Sequence, residues 1–345
     1  MKALVYHGPG KRAWESKPAP VITAPSDAIV KITTTTICGS DLHILKGDVP
    51  TVADGRILGH EGVGVVVEVG AAVTNFAAGD RVIVSCITSC GRCEACRRRM
   101  YSHCASGGWL LGNVIDGTHA DLVRVPFADT SMYRVPVGVD ESALVMLSDI
   151  LPTGFECGVL NGRVRPGDTV AIVGAGPVGL AAVLTARLYS PAEIIVVDND
   201  ENRLRTAREL GATRAVHNSD GKAQERIMGL TDQRGVDVAI EAVGIPATFE
   251  LCQDIVAAGG RIANIGVHGR SAELKLARLW SHNVTITTGL VDTSTTPTLL
   301  KMVVAGRLKP RQLITHELKL DEMMKGYDVF AAASREAAIK VVLGS

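Results

Sequence analysis

The chain is poor in aromatic residues: five Phe, five Tyr and three Trp make up 4% of 345 positions. It also lacks an excess of either charge, with 36 Lys and Arg against 36 Asp and Glu. A basic face interleaved with aromatics, the footprint of nucleic-acid binding, is therefore not expected. Zero net charge likewise gives no electrostatic pull toward an anionic membrane. No apolar run reaches the roughly 18 residues that a spanning helix needs. Met1–Tyr6 (MKALVY) alternates like a short strand and carries no apolar signal region. We expect no nucleic-acid partner, no membrane partner and a reducing, cytoplasmic compartment. No internal repeat or low-complexity linker breaks the chain.

What is present is a 46% hydrophobic fraction with 36 glycines, enough for a sizeable core and about two domains. Up to about Asp149, short strands alternate with glycine turns: 28–32, 62–70 and 80–84. That pattern predicts an all-β, barrel-like domain. From about Thr153 the period changes. Strands over 169–173, 194–198, 236–241 and 261–265 alternate with helical segments, one ending at Gly211. Alternating strand and helix predicts an α/β, doubly wound parallel sheet.

Eight cysteines are present, and four of them, Cys90, Cys93, Cys96 and Cys104, have the spacing C-x2-C-x2-C-x7-C. One short loop with four thiols forms a cage of the size tetrahedral zinc needs. Four thiolates leave no open position, so this zinc is expected to be structural. Cys38, His60 and Glu61 supply a second, mixed set of donors. A catalytic zinc keeps one position for substrate, which calls for three firm protein ligands. With Cys38 and His60 as two of them, the third is open among Glu61, Asp149 and Cys157.

Gly174-Ala175-Gly176-Pro177-Val178-Gly179 follows an apolar strand and opens a helix, and Asp198 ends the next strand. In a dinucleotide fingerprint Gly174 makes the tight turn, Gly176 admits the pyrophosphate and Gly179 lets helix and strand pack. The helix start offers free N–H groups to the phosphates. A carboxylate at Asp198 holds ribose hydroxyls and repels a 2′-phosphate. Asp200 and Glu201 add to that repulsion, which favours NAD, while Arg203 pulls the other way.

Taken together, Cys38-Gly39-Ser40-Asp41-Leu42-His43, Gly59-His60-Glu61, the four-cysteine loop and the Gly174–Gly179 motif resemble the zinc-dependent alcohol dehydrogenases of the medium-chain dehydrogenase/reductase superfamily, bacterial secondary-alcohol enzymes above all. The resemblance spans nearly the whole chain. It implies a GroES-like, β-rich catalytic domain over 1–152 and 290–345 and a Rossmann domain over 153–289. It implies two zinc ions per subunit and NAD. Cys38, His60 and Asp149, just before Thr153-Gly154, become the catalytic ligands. Glu61 approaches the metal when no substrate is bound, Asp41 orients His60, and Cys157 is a buried thiol. The implied reaction is reversible hydride transfer from a zinc-held, secondary alcohol to NAD, giving a ketone or aldehyde. Ser40 takes the proton and His43 passes it to solvent. Ile87 and Trp109 line the substrate pocket, with Cys86 as a further candidate. A polyol dehydrogenase on the same scaffold is the alternative, which the apolar Ile87 and Trp109 disfavour. The strand ending at Thr287 suggests subunit pairing into a dimer or tetramer.

Overall fold

A computed structural model describes residues 1–344. The chain divides into two compact units: Met1–Asp149 together with the segment from Asp292 onward, and Ile150–Val291.

In the first unit the strand Ala28–Thr36 is the hub. It pairs antiparallel with Gly62–Val69, Leu122–Val125 and Lys340–Gly344. The sheet continues through Arg81–Val84 to Met132–Arg134 on one side, and parallel to Ile314–Lys319 on the other. Gly64 is required at the hub, because a Cβ there would overlap the Lys31 carbonyl. Lys2–Tyr6 and Arg12–Ser16 form a separate hairpin. The unit is not all-β as strand counting suggests. Helices Gly39–Lys46 and Met323–Ala331 pack Ile44, Leu45, Met323, Tyr327 and Phe330 into a core with Leu4, Ile37 and Leu58. Gly47, with φ 86°, ends the first of these helices.

A buried histidine braces this core. His119 is fully buried, with Nδ1 3.0 Å from the Tyr327 hydroxyl and Nε2 3.2 Å from the Thr36 carbonyl oxygen. A carbonyl only accepts, so Nε2 carries the hydrogen and Nδ1 accepts from the tyrosine. Both nitrogens are thus satisfied in the neutral ring, and burial lowers the pKa of His119. The unfolded chain takes up this proton near pH 6.5 and the native chain only at lower pH. Stability is therefore lost as pH falls below about 6.5, by at most about 1.4 kcal/mol per pH unit from this group. We expect urea midpoints measured at intervals below that pH to fall less steeply in His119→Gln than in the wild type.

The second unit is a six-stranded, all-parallel sheet. Its spatial order is Arg214–His217, Glu193–Asp198, Thr169–Val173, Val236–Glu241, Val256–Asn264, Thr285–Thr288. The order reverses beside Thr169–Val173, where a doubly wound sheet opens its ligand crevice. Strands buried on both faces read as the continuous apolar runs seen at Thr169–Val173 and Ile194–Val197. The strand expected over 261–265 begins earlier than the sequence suggests, at Val256. Among the described residues no single helix is long and apolar enough to cross a membrane.

Candidate metal centres and nucleotide site

Cys38 lies between the hub strand and helix Gly39–Lys46, and its backbone N–H donates to Asp41 Oδ2 at 2.9 Å. His60 and Glu61 immediately precede strand Gly62–Val69, and Asp149 closes the unit's first segment. Ser148 staples these segments together. Its hydroxyl accepts from Gly62 N and donates to Gly62 O, both at 3.2 Å, and its carbonyl accepts from Cys86 N. As a result the donor atoms of Cys38, His60, Glu61 and Asp149 all lie within 4.8 Å of one another.

Their spacing fits a metal. Cys38 Sγ is 3.6 Å and His60 Nε2 is 3.2 Å from Asp149 Oδ2. Ordinary zinc bond lengths in a tetrahedron give edges of about 3.6 Å for S to O and about 3.4 Å for N to O. Charge points the same way. A thiol and two carboxylates converge where Glu61 is fully buried, and Lys340 stands against them. Cys157 lies in the other unit, outside this donor set and 2% exposed, as a buried thiol should be.

The sequence did not single out Lys340, 279 residues beyond Glu61. Its Nζ donates to Glu61 Oε2 at 2.6 Å and to the Ile37 carbonyl at 3.0 Å, with both side chains completely buried. Glu61 Oε1 is buried with no hydrogen-bond partner among the described residues, and a carboxylate oxygen of Glu61 is one of the four clustered donor atoms. Burial raises the Glu61 pKa to about 7 against the pull of Lys340. The one available signal was a lysine heading the apolar run Val341-Val342-Leu343.

Burial lowers the pKa of His60, but hydrogen bonds to Asp149 and Cys38 outweigh it and hold the value well above normal. Nε2 faces Asp149, so Nδ1 is the outward nitrogen. The expected hydrogen bond to Asp41 is not made: Nδ1 and Asp41 Oδ1 stand 3.8 Å apart, both without a partner. Ser40 Oγ lies 3.4 Å from His60 Nε2. His43, one helical turn on and about one-third exposed, holds Asp48 at 2.8 Å through Nδ1. Trp109 meets the His60 ring edge-on at 5.9 Å, which puts it at the centre. Ile87 is buried, and the Cys86 thiol, raised by burial, bonds Asp149.

Cys90, Cys93, Cys96 and Cys104 form the second cluster, also within 4.8 Å. Backbone N–H groups of Ala105 and Cys96 lower Cys93 to about 6, whereas burial pushes Cys96 up to about 12. Four sulfurs so close cannot all be thiolates without a cation among them, which is what zinc provides.

In the second unit each glycine of the fingerprint has a distinct task. Gly174 has φ 104°, and a Cβ there would meet Val243 at 2.5 Å. At Gly179 a Cβ would overlap the Gly174 carbonyl oxygen. At Gly176 a Cβ would meet nothing, so that space is open to a ligand. Pro177 and Val178 open helix Pro177–Ala186, whose start has no side-chain cap. Asp198 Oδ2 accepts from Ala175 N at 2.7 Å and Oδ1 from Asp200 N at 2.9 Å, tying strand end to glycine turn. Asp200 is engaged as the cap of helix Glu201–Leu210, accepting from Asn202 N and Arg203 N. Arg203 is half-buried, with Nε unpartnered.

Comparison with known proteins agrees with this geometry. Residues 24–136 match the family "Alcohol dehydrogenase GroES-like domain", and residues 177–305 match "Zinc-binding dehydrogenase". An alcohol dehydrogenase of Cupriavidus necator is 36% identical over 99% of this chain and 98% of its own length. A protein named NADP-dependent isopropanol dehydrogenase, from Thermoanaerobacter brockii, is 34% identical over 99% of both. The solved structure of a zinc-dependent alcohol dehydrogenase 2 from Streptococcus pneumonia, in apo form, is 53% identical, with a TM-score of 0.96 over 100% of this chain and 98% of that one. The chain belongs to the zinc-dependent alcohol dehydrogenases of the medium-chain dehydrogenase/reductase superfamily.

Proposed function

We propose that the protein oxidises secondary alcohols to ketones, reversibly, with NAD as hydride acceptor. The observation that carries this reading is the convergence of Cys38, His60 and Asp149 at tetrahedral zinc spacing, with Glu61 Oε1 buried and unpartnered beside them. Zinc held there supplies Lewis-acid polarisation of the alcohol oxygen.

The chain's own groups do the rest. Cys38, His60 and Asp149 would hold the ion, while Lys340 keeps one oxygen of Glu61 occupied. Ser40 Oγ is placed beside the centre to take the alcohol proton. His43, paired to Asp48 and partly exposed, is placed to give a proton to solvent. Trp109, Ile87 and Cys86 make an apolar surround that favours simple secondary alcohols over polyols.

The preference for NAD rests on Asp198 at the strand end, since a 2′-phosphate would be set against a carboxylate. Arg203 and the NADP-dependent relative make the NAD-to-NADP ratio of kcat/KM the test, expected above about tenfold. The glycines give a second test. Gly176→Ala, with open space at the Cβ, should leave the melting temperature unchanged but weaken NAD about tenfold or more. Gly179→Ala, which meets backbone, should lower the stability of the unit itself. Equal effects of the two substitutions on stability would count against an open phosphate cradle at Gly176.

Eight cysteines outside any disulfide suit a reducing, cytoplasmic compartment. Strand Thr285–Thr288 is a sheet edge, and edge pairing between copies would give a dimer or tetramer, measurable by light scattering.

A further inference from the structure

Glu241, the last residue of strand Val236–Glu241, is completely buried. Its Oε1 accepts from Val243 N and Gly244 N, each at 2.9 Å, and from Thr248 Oγ1 at 2.6 Å. Its Oε2 has no hydrogen-bond partner, and His268 Nε2 stands 3.4 Å away. The same nitrogen is 2.9 Å from Asn264 Oδ1, while Asn264 Nδ2 donates to Gly266 O. With acceptors on both sides, Nε2 of His268 must carry a hydrogen. The ring also meets Phe249 edge-on at 6.1 Å. Backbone contact repeats the tie, because Ile265 N and Gly266 N both donate to the Glu241 carbonyl. A Cβ on Gly266 would overlap Gly244 N. Loops 242–245 and 265–268 are thus clamped into one rim, with Glu241 beneath and His268 closing it from the second loop.

This rim sits at the carboxyl ends of the strands beyond the point where the sheet order reverses. Those strands take the second mononucleotide in a doubly wound fold. The rim is apolar and open: Val243, Ile245 and Val267 are 42%, 48% and 65% exposed. We propose that His268 is a positioning residue for the dinucleotide, fixing through Glu241 the rim that receives its nicotinamide-nucleoside half. The inference rests on the nucleotide reading above and adds a residue to it.

The test is calorimetric binding of NAD and of ADP, which lacks the nicotinamide nucleoside, to wild type, His268→Ala and His268→Gln. Gln keeps an N–H close to where Nε2 stands. His268→Ala should weaken NAD about tenfold, the scale of the hydrogen bond lost to Asn264 Oδ1 with the contact to Glu241 Oε2. His268→Gln should recover most of that loss, and ADP affinity should stay within about twofold throughout. NAD affinity unchanged in His268→Ala would overturn the inference. So would equal weakening of NAD and ADP, which means a general collapse of the loops. If wild type binds neither ligand, the nucleotide reading itself fails and this inference falls with it.

Discussion

Cys38→Ser should abolish alcohol oxidation, with kcat/KM falling by at least about a thousandfold, while the protein stays folded and keeps one zinc per subunit. Three observations lead to this. Cys38 Sγ forms one 3.6 Å edge of a donor set that shares Asp149 Oδ2 with His60. A hydroxyl is a far poorer zinc ligand than a thiolate, and only two strong ligands would remain for an ion that also needs an open position. The four-cysteine cluster draws every donor from residues 90–104 and shares none with the first, so its metal should be indifferent to the substitution. Metal content and initial rates check the two halves separately. Two zinc ions retained with activity intact would place the chemistry elsewhere.

Lys340→Met should be the most destabilising single change in the catalytic unit away from its metal ligands. Lys340 and Glu61 are both completely buried, and among the described residues Nζ donates to Glu61 Oε2 and the Ile37 carbonyl. Removing one member of a buried pair leaves an uncompensated charge, a loss of about 3–5 kcal/mol. Metal should decide how much of that loss is felt. A carboxylate oxygen of Glu61 already lies among the ligand atoms, so a divalent ion can neutralise the carboxylate that Lys340 no longer meets. Denaturant midpoints of Lys340→Met should therefore be lowest in metal-stripped protein and recover in part as zinc is added back. Adding Glu61→Gln should recover stability without zinc, because both charges are then gone. A Lys340→Met midpoint equal to wild type in stripped protein would mean that the pair contributes nothing.

Local spacing made part of this molecule legible in the sequence. The four cysteines fall within one loop, and the glycine fingerprint falls within one strand-to-helix turn. Both could be read because their residues are neighbours in sequence: Gly174 makes the tight turn and Gly179 the close packing that their spacing predicts, and space at Gly176 is open. The mixed centre was legible only through residue types. Its members are gathered by the hub strand, by the strand after Glu61 and by the Ser148 staple, and none of these leaves a periodic mark. Lys340 was invisible for the same reason. It arrives on a strand that pairs with Ala28–Thr36 after the chain has passed through the whole second unit. Asp200 also has a local role that the sequence reading did not name: it caps helix Glu201–Leu210, accepting from Asn202 N and Arg203 N. Asp41 was expected to orient His60, and it stands beside Nδ1, but 3.8 Å is too long for a direct hydrogen bond. The helices of the first unit were missed because its short strands dominate the local pattern.

The most direct test of the account is an initial-rate assay of zinc-loaded protein with NAD and matched secondary, primary and polyhydric alcohols, followed by the absorbance of reduced nicotinamide. The account predicts turnover, fastest with a secondary alcohol. The contradicting result is protein carrying two zinc ions per subunit and binding NAD, yet forming no reduced nicotinamide from any of these alcohols.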